Sequence, residues 1–173
     1  MNETINTMLQ RRSCRKYTSE PIRETDLEQI LLAGTYAASG MGRQSAKIVV
    51  VQDPATREQL RKMNAAILGN PDMDPFYGAS TICVVLADPE VRTWVEDGSL
   101  VMGNLMLAAE SVGAASCWIH RAREEFDSAE GKALLEKWGI STRYRGIGHC
   151  ILGYADSAAA PAKERKADFI VRV

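Results

Sequence analysis

Between Val95 and Val112 apolar side chains recur on nearly every side of a helix: Leu100, Val101, Leu105, Met106, Leu107, Ala108 and Ala109 cover most of its circumference. A helix that is apolar all round has to be enclosed, so the fold must wrap other elements around this segment. Gly113 supplies its stop. The small residues Gly103, Ala108 and Ala109 leave room for another helix to approach, which offers the segment to a subunit interface as well.

The wrapping elements can be read on either side of it. Ile48–Val51, Ile82–Leu86, Ser116–Ile119 and His149–Leu152 are short, apolar and rich in branched residues, as strands are. Helices are predicted around Ile5, Met8 and Leu9 and from Asp53-Pro54 to Met63, the latter with Asp as N-cap and Pro at the first helical position. Another begins at Thr25-Asp26-Leu27-Glu28, which has capping-box spacing, buries Leu27, Ile30, Leu31 and Gly34, and ends near Ala38. An amphipathic helix runs from Ser128 to Trp138. Gly69 to Pro75 reads as an irregular excursion of the kind that borders sites, and Phe169–Val173 has strand character at the end of a polar, Ala-rich arm. An arm of this sort often reaches over a neighbouring subunit. The expected fold class is α+β: one mixed or antiparallel sheet with helices on both faces, in a single domain over residues 1–173.

Charge and cysteine usage narrow the function. A net charge of −1 argues against nucleic acid as the main partner. Met1 is followed by the polar Asn2-Glu3-Thr4, and no later segment is long and uncharged enough to span a bilayer, so a cytoplasmic protein without a membrane partner is expected. Cys14, Cys83, Cys117 and Cys150 are widely spaced and only two histidines accompany them, so no metal site is expected. Cys83 and Cys150 lie in apolar runs and are predicted to be buried, reduced thiols.

Against this neutral background the run Arg11-Arg12-Ser13-Cys14-Arg15-Lys16-Tyr17 stands out. Guanidinium forks match phosphate oxygens and a serine hydroxyl adds a further hydrogen bond, so the run can hold a phosphorylated cofactor. It can equally be a solvated basic loop.

The succession of motifs resembles the nitroreductase family of FMN-dependent oxidoreductases from Leu9 to the C-terminus. The pieces that carry the resemblance are the basic run, the loop Ala38-Ser39-Gly40-Met41-Gly42-Arg43-Gln44, the helix Asp97-Gly98-Ser99-Leu100-Val101-Met102-Gly103-Asn104-Leu105, Ser116-Cys117-Trp118-Ile119-His120, Gly146-Ile147-Gly148-His149-Cys150-Ile151-Leu152-Gly153-Tyr154, and Lys163-Glu164-Arg165-Lys166. The resemblance implies a homodimer with C-terminal arm exchange and an FMN in a cleft between subunits. It further implies ping-pong hydride transfer from NADH or NADPH to a nitroaromatic, a quinone or a similar electron acceptor. Position by position it implies that Arg11 and Ser13 reach the FMN phosphate and ribityl chain with Arg12 assisting, that Arg15 is the cation near flavin N1 and O2, and that Lys163 and Arg165 close on the phosphate. Ser39, Gly42 and Gln44 fall in the loop at the polar edge of the flavin, and the backbone of Trp118, Ile119 and His120 faces N5 and O4. No residue is assigned a catalytic acid-base role, since the flavin carries the hydride.

The chain departs from the family at Gly42, where Asn is common, at Ser45, where Pro is usual, and at Ala46-Lys47, which replace a frequent aromatic-His pair. Two other readings therefore stand beside the enzyme. One is an FMN-binding module without efficient turnover. The other is a flavin-free structural homodimer whose basic loop and tail pair with acidic segments such as Glu124-Glu125 or Glu96-Asp97.

Overall fold

The computed structural model describes residues 1–173. Its elements, in chain order, are α1 (Glu3–Gln10), α2 (Glu24–Thr35), a 3₁₀ turn (Gly40–Gly42), β1 (Ala46–Val51), α3 (Pro54–Leu68), β2 (Thr81–Ala87), α4 (Trp94–Ser111), β3 (Ala115–Ile119), α5 (Ala122–Asp127), α6 (Ala129–Lys137) and β4 (Arg145–Gly153). The four strands form one sheet in the order β1-β2-β4-β3, and every pairing is antiparallel. The fold is α+β, as expected.

Strand periodicity divides the core into two layers. Cys83, Val85 and Ala87 of β2 and Cys150 and Leu152 of β4 face one side, where they meet Leu27 and Ile30 of α2 and Val101, Met102, Leu105 and Ala109 of α4. Ile82, Val84, Leu86 and Ile151 face the other, against Leu60 and Met63 of α3, Phe126 of α5 and Leu134 and Leu135 of α6. All seven residues of β2 are buried because this central strand is covered on both faces. The expectation of a helix enclosed on every side is corrected: α4 buries one face, through Val101, Met102, Leu105 and Ala109, while Leu100 is exposed and Gly103, Met106, Leu107 and Ala108 are half-buried, so of the small residues only Ala109 is taken up by the protein's own core.

β4 carries an extra residue opposite Val85 and Leu86, which pair with Gly148 and Gly146. This bulge turns Ile147 onto the α4 face, where it fills the space left by Gly98. Beside it, the Trp118 indole lies over Gly148.

Several predicted boundaries are corrected. α2 starts at Glu24 with Arg23 as its N-cap residue, so Thr25 lies inside the helix and the capping-box spacing is not used. The Asp26 carboxylate is instead held by Arg23 and by the Tyr154 hydroxyl, tying α2 to the end of β4. The helix stops at Thr35 rather than Ala38. α3 runs past Met63 to Leu68 because nothing interrupts it before Gly69, whose left-handed φ of 78° ends the helix. The six-residue α5 was not anticipated. Phe169–Val173 is exposed and forms no strand. No helix is long and apolar enough to cross a membrane.

Candidate functional site

α1 ends at Arg11, where the backbone turns to extended geometry. Arg12 folds back on the helix it follows: its Nη1 donates to the carbonyls of Leu9 (2.7 Å), Gln10 (3.0 Å) and Arg11 (2.8 Å). Arg12 thus satisfies the open C-terminal carbonyls of α1 and is partly engaged before any ligand arrives.

The chain then adds itself to the outer edge of the sheet. Ser13 bridges Ser116 in parallel, and the Cys14 amide donates to the Ser116 carbonyl at 2.9 Å. Further on, the Thr18 amide donates to Tyr154, the Asp156 amide donates to Lys16, and the Tyr17 hydroxyl donates to the Cys14 carbonyl at 3.1 Å. These backbone bonds hold the basic run along β3 and the residues after β4. Burial pushes the Cys117 thiol up, while Arg15, Ser13 and Arg11 all lie close enough to pull it the other way. Three predicted cofactor residues therefore converge on one strand of the sheet.

Beside them is a cleft of about 520 Å³, lined by Arg12, Ser13, Arg15, Lys16, Glu110 and the start of the tail. Lys16 pairs with Asp156 at 2.5 Å. Arg11 Nη1 and Arg12 Nε are buried without a hydrogen-bond partner. An unpartnered buried guanidinium donor is unfavourable on its own and is well matched to an anion's oxygen. Lys163 and Arg165 are exposed on the tail, and the tail's share of the cleft lining ends at Ala160.

The opposite end of β3 forms a second part of the site. Trp118 is half-buried on the α4 face, whereas the Ile119 side chain points into the other core layer, so only its backbone is available to a ligand. His120 is exposed, and its Nδ1 accepts the Arg121 amide at 2.9 Å. Arg121 is left-handed, with φ 75°, at the start of α5. A cleft of about 350 Å³ here is lined by Ser99, Trp118, His120, Arg123, Glu124 and Ile147.

Ser39, Gly42 and Gln44 lie elsewhere, at the β1 edge of the sheet. Three strand spacings, about 14 Å, separate that edge from β3. The loop is anchored by Asp97, which accepts from the Gly40 amide at 2.9 Å and from the Ser45 hydroxyl at 2.7 Å. Burial raises the Asp97 carboxyl, but the bonds from Ser45, Gly40 and Thr93 outweigh it and hold the group below the ordinary carboxylate range. Ser45 thus supplies by hydrogen bonding the restraint that a proline would give by its ring. Gln44 donates its amide to Ser39 Oγ at 3.1 Å, and Met41, Gly42 and Gln44 all have positive φ. One chain therefore brings together the β3-edge residues and leaves the Ser39–Gln44 loop apart from them.

Asn64 and Arg121 carry no sequence motif, and the only role sequence reasoning offers Asp97 and Glu125 is as acidic partners for the basic run. Asn64 carried a usable signal, since the spacing Leu60, Met63, Asn64 puts an amide on the buried face of α3, where it must find partners. Within the acidic segments read as partners for the basic run, Asp97 is engaged by Ser45 and Glu125 by Asn64, while Glu96 and Glu124 are exposed.

A sequence model of the nitroreductase family matches residues 8–81. A protein of Archaeoglobus fulgidus, provisionally named NADH dehydrogenase/NAD(P)H nitroreductase, is 36% identical over 160 residues, covering 89% of this chain and 86% of that protein. An FMN reductase [NAD(P)H] of Bacillus subtilis is 28% identical over 71% of this chain, which spans only 56% of that protein's length. Among solved structures, a nitroreductase with bound FMN from Bacteroides fragilis superposes with a TM-score of 0.91 at 31% identity, over all of both chains. One from Desulfitobacterium hafniense, also with bound FMN, gives 0.89 at 26% identity, over 100% of this chain and 99% of that one.

Proposed function

The chain belongs to the nitroreductase family, and from that premise we propose that it is an FMN-dependent oxidoreductase that takes electrons from NADH or NADPH and passes them to nitroaromatics, quinones or similar acceptors. The observation that carries this reading is the cleft lined by Arg12, Ser13 and Arg15, with Arg12 Nε buried and unpartnered on it and Arg11 Nη1 buried and unpartnered on the preceding residue. Those groups fit a phosphate. Bound FMN supplies the hydride chemistry.

The protein's own residues supply position and field. Arg11 and Ser13 hold the phosphate, with Arg12 held back by the α1 carbonyls. Arg15, exposed and without an ion-pair partner, brings positive charge to the flavin's N1 and O2 edge, where it favours the anionic reduced form. Backbone amides at the end of β3 face the N5 and O4 side. Lys163 and Arg165 complete the phosphate grip when the tail is laid along the cleft that its residues Ser157–Ala160 already line. Donor and acceptor use the same open face in turn, a ping-pong scheme that needs no separate nucleotide-binding domain.

Ser39, Gly42 and Gln44 reach a flavin on the β3 edge of a second copy. A homodimer is supported by the exposed apolar side chains Ile5, Met8 and Leu9 of α1, Leu32 of α2 with Tyr36 just beyond it, and Leu100 of α4.

The deciding experiment is a visible spectrum of the protein after FMN addition and desalting, followed by anaerobic titration with NADH and NADPH. Retained flavin bands that bleach with a nicotinamide are expected. Retained bands that bleach with neither would instead favour a flavoprotein without turnover. The same loaded fraction should run as a dimer in gel filtration with light scattering, and a monomer would contradict the shared site.

Gly42 is the observation that keeps the second reading in play, because it offers no side chain to the flavin. Its φ is 67° and nothing lies within 4 Å of where a Cβ would sit. Asn tolerates that left-handed region better than other residues with a side chain. Gly42→Asn is accordingly expected to fold normally and to tighten FMN binding by about 0.5–1.5 kcal/mol, the contribution of one hydrogen bond. Fluorescence titration of FMN checks this, and an unchanged or weaker affinity would count against placing this loop at the flavin.

A further inference from the structure

We propose that Asn64 is a positioning residue for the turn that follows β3, and that with the buried Glu125 and His149 behind it this residue controls how strongly the protein favours reduced over oxidised FMN. The proposal rests on the FMN reading above and deepens it.

Asn64 is fully buried in α3, yet every bond its side chain makes leads to the end of β3 or to α5. Its Nδ2 donates to the His120 carbonyl at 2.9 Å and to Glu125 Oε1, and its Oδ1 accepts from Arg121 Nε at 2.9 Å. The side chain thus grips both residues of the His120–Arg121 turn. Arg121 needs such a grip, because a φ of 75° is disfavoured for a residue with a Cβ and persists only where the surroundings impose it.

Behind Asn64 stands a pair that the core does not require. Glu125 and His149 are both fully buried, with His149 Nε2 2.8 Å from Glu125 Oε2, although not aligned as a hydrogen bond. Phe76 and Phe126 flank the imidazole, at ring-centroid distances of 5.2 and 6.4 Å. An apolar pair would pack here at least as stably, so the polar pair is better understood through what it orients. His149 lies directly opposite Ile119 in the β3–β4 register, and Glu125 lies one turn into α5. The network therefore spans β4, α5 and α3 and converges on one peptide.

That peptide has a donor to give. The Arg121 amide is satisfied only by the imidazole of exposed His120, a partner that can rotate away and leave the amide to a ligand acceptor. A donor stabilises developing negative charge in proportion to how firmly it is held before the charge appears. Loosening the turn should therefore weaken binding of reduced flavin more than that of oxidised flavin. A purely structural role would lower stability and leave that ratio alone.

The test uses the full chain with FMN and compares Asn64→Ala and Arg121→Gly with wild type. Glycine accepts the left-handed turn without strain, so the second variant removes the Nε tether and leaves the fold cheap to form. Tm, the dissociation constant of oxidised FMN and the two-electron midpoint potential are measured for each. Asn64→Ala is expected to weaken reduced FMN about tenfold more than oxidised FMN, which lowers the midpoint by about 30 mV. Arg121→Gly should shift it in the same direction by less, and it decides the matter if Asn64→Ala does not fold. Variants that hold flavin at the wild-type potential and differ only in Tm overturn the inference and leave the FMN reading standing. A wild-type protein that retains no FMN overturns both.

Discussion

Arg11→Met should weaken FMN binding by roughly tenfold to a hundredfold, the equivalent of about 1.5–3 kcal/mol for a charged hydrogen bond, while leaving the flavin-free protein as stable as before or more so. The opposite signs follow from one fact: Arg11 Nη1 is buried and has no partner within the chain. Methionine keeps much of the aliphatic bulk and removes a donor that the protein's own groups do not satisfy, so the folded apo-protein gains while the ligand loses its contact. Arg12→Met should behave the other way round. Its Nη1 closes three carbonyls at the end of α1, so its loss costs stability first and affinity second. FMN titration by fluorescence, with thermal unfolding of the apo-proteins, separates the two arginines. An Arg11→Met protein that binds FMN within a factor of two of wild type would remove Arg11 from the phosphate site.

The adjacent arginines also show how far the sequence could be read. Both fit a phosphate grip by type and spacing, and only the structure reveals that one of them is already occupied by the helix it follows. β2 and α4 were legible because each is set by its own side chains, Ile82–Leu86 as an unbroken apolar run and Val95–Val112 as a helix apolar all round. The Thr25–Glu28 spacing misled because a capping box is a local pattern, while Asp26 answers to Tyr154, far along the chain. α5 escaped notice since six residues with two glutamates in the first turn give no helical period to detect. The candidate site divided along the same line. The basic run and the Trp118–His120 segment were readable as motifs, but Asn64, Asp97 and Glu125 act through contacts more than fifty residues apart, which spacing cannot reveal. Phe169–Val173 has the composition of a strand but is exposed and unpaired within the chain, so composition alone did not fix its structure.

Gly146→Ala is expected to be strongly damaging, lowering stability by about 3 kcal/mol and Tm by about 6–12 °C for a protein of this size. A methyl group at position 146 would be driven into the carbonyl of Ala122 and would lie 2.8 Å from the Ala122 Cβ. The obstruction is backbone, so no rotamer change relieves it. Either α5 moves away from β4 or the strand bends at its bulge. Both responses disturb the site, because α5 begins immediately after the left-handed Arg121 and carries the Glu125 carboxylate that Asn64 holds. Gly103 in α4 provides the contrast. Nothing lies within 4 Å of a Cβ built there, so Gly103→Ala should be neutral or stabilising by up to about 1 kcal/mol in the isolated chain, from helix propensity alone. Under the proposed homodimer, a loss of stability in Gly103→Ala that disappears on dilution would locate the close approach of a second copy at that residue. Thermal unfolding of the two variants side by side checks the prediction. A Gly146→Ala protein that unfolds within about 2 °C of wild type would mean that α5 yields easily. A helix that yields so easily could not hold the Arg121 amide in place.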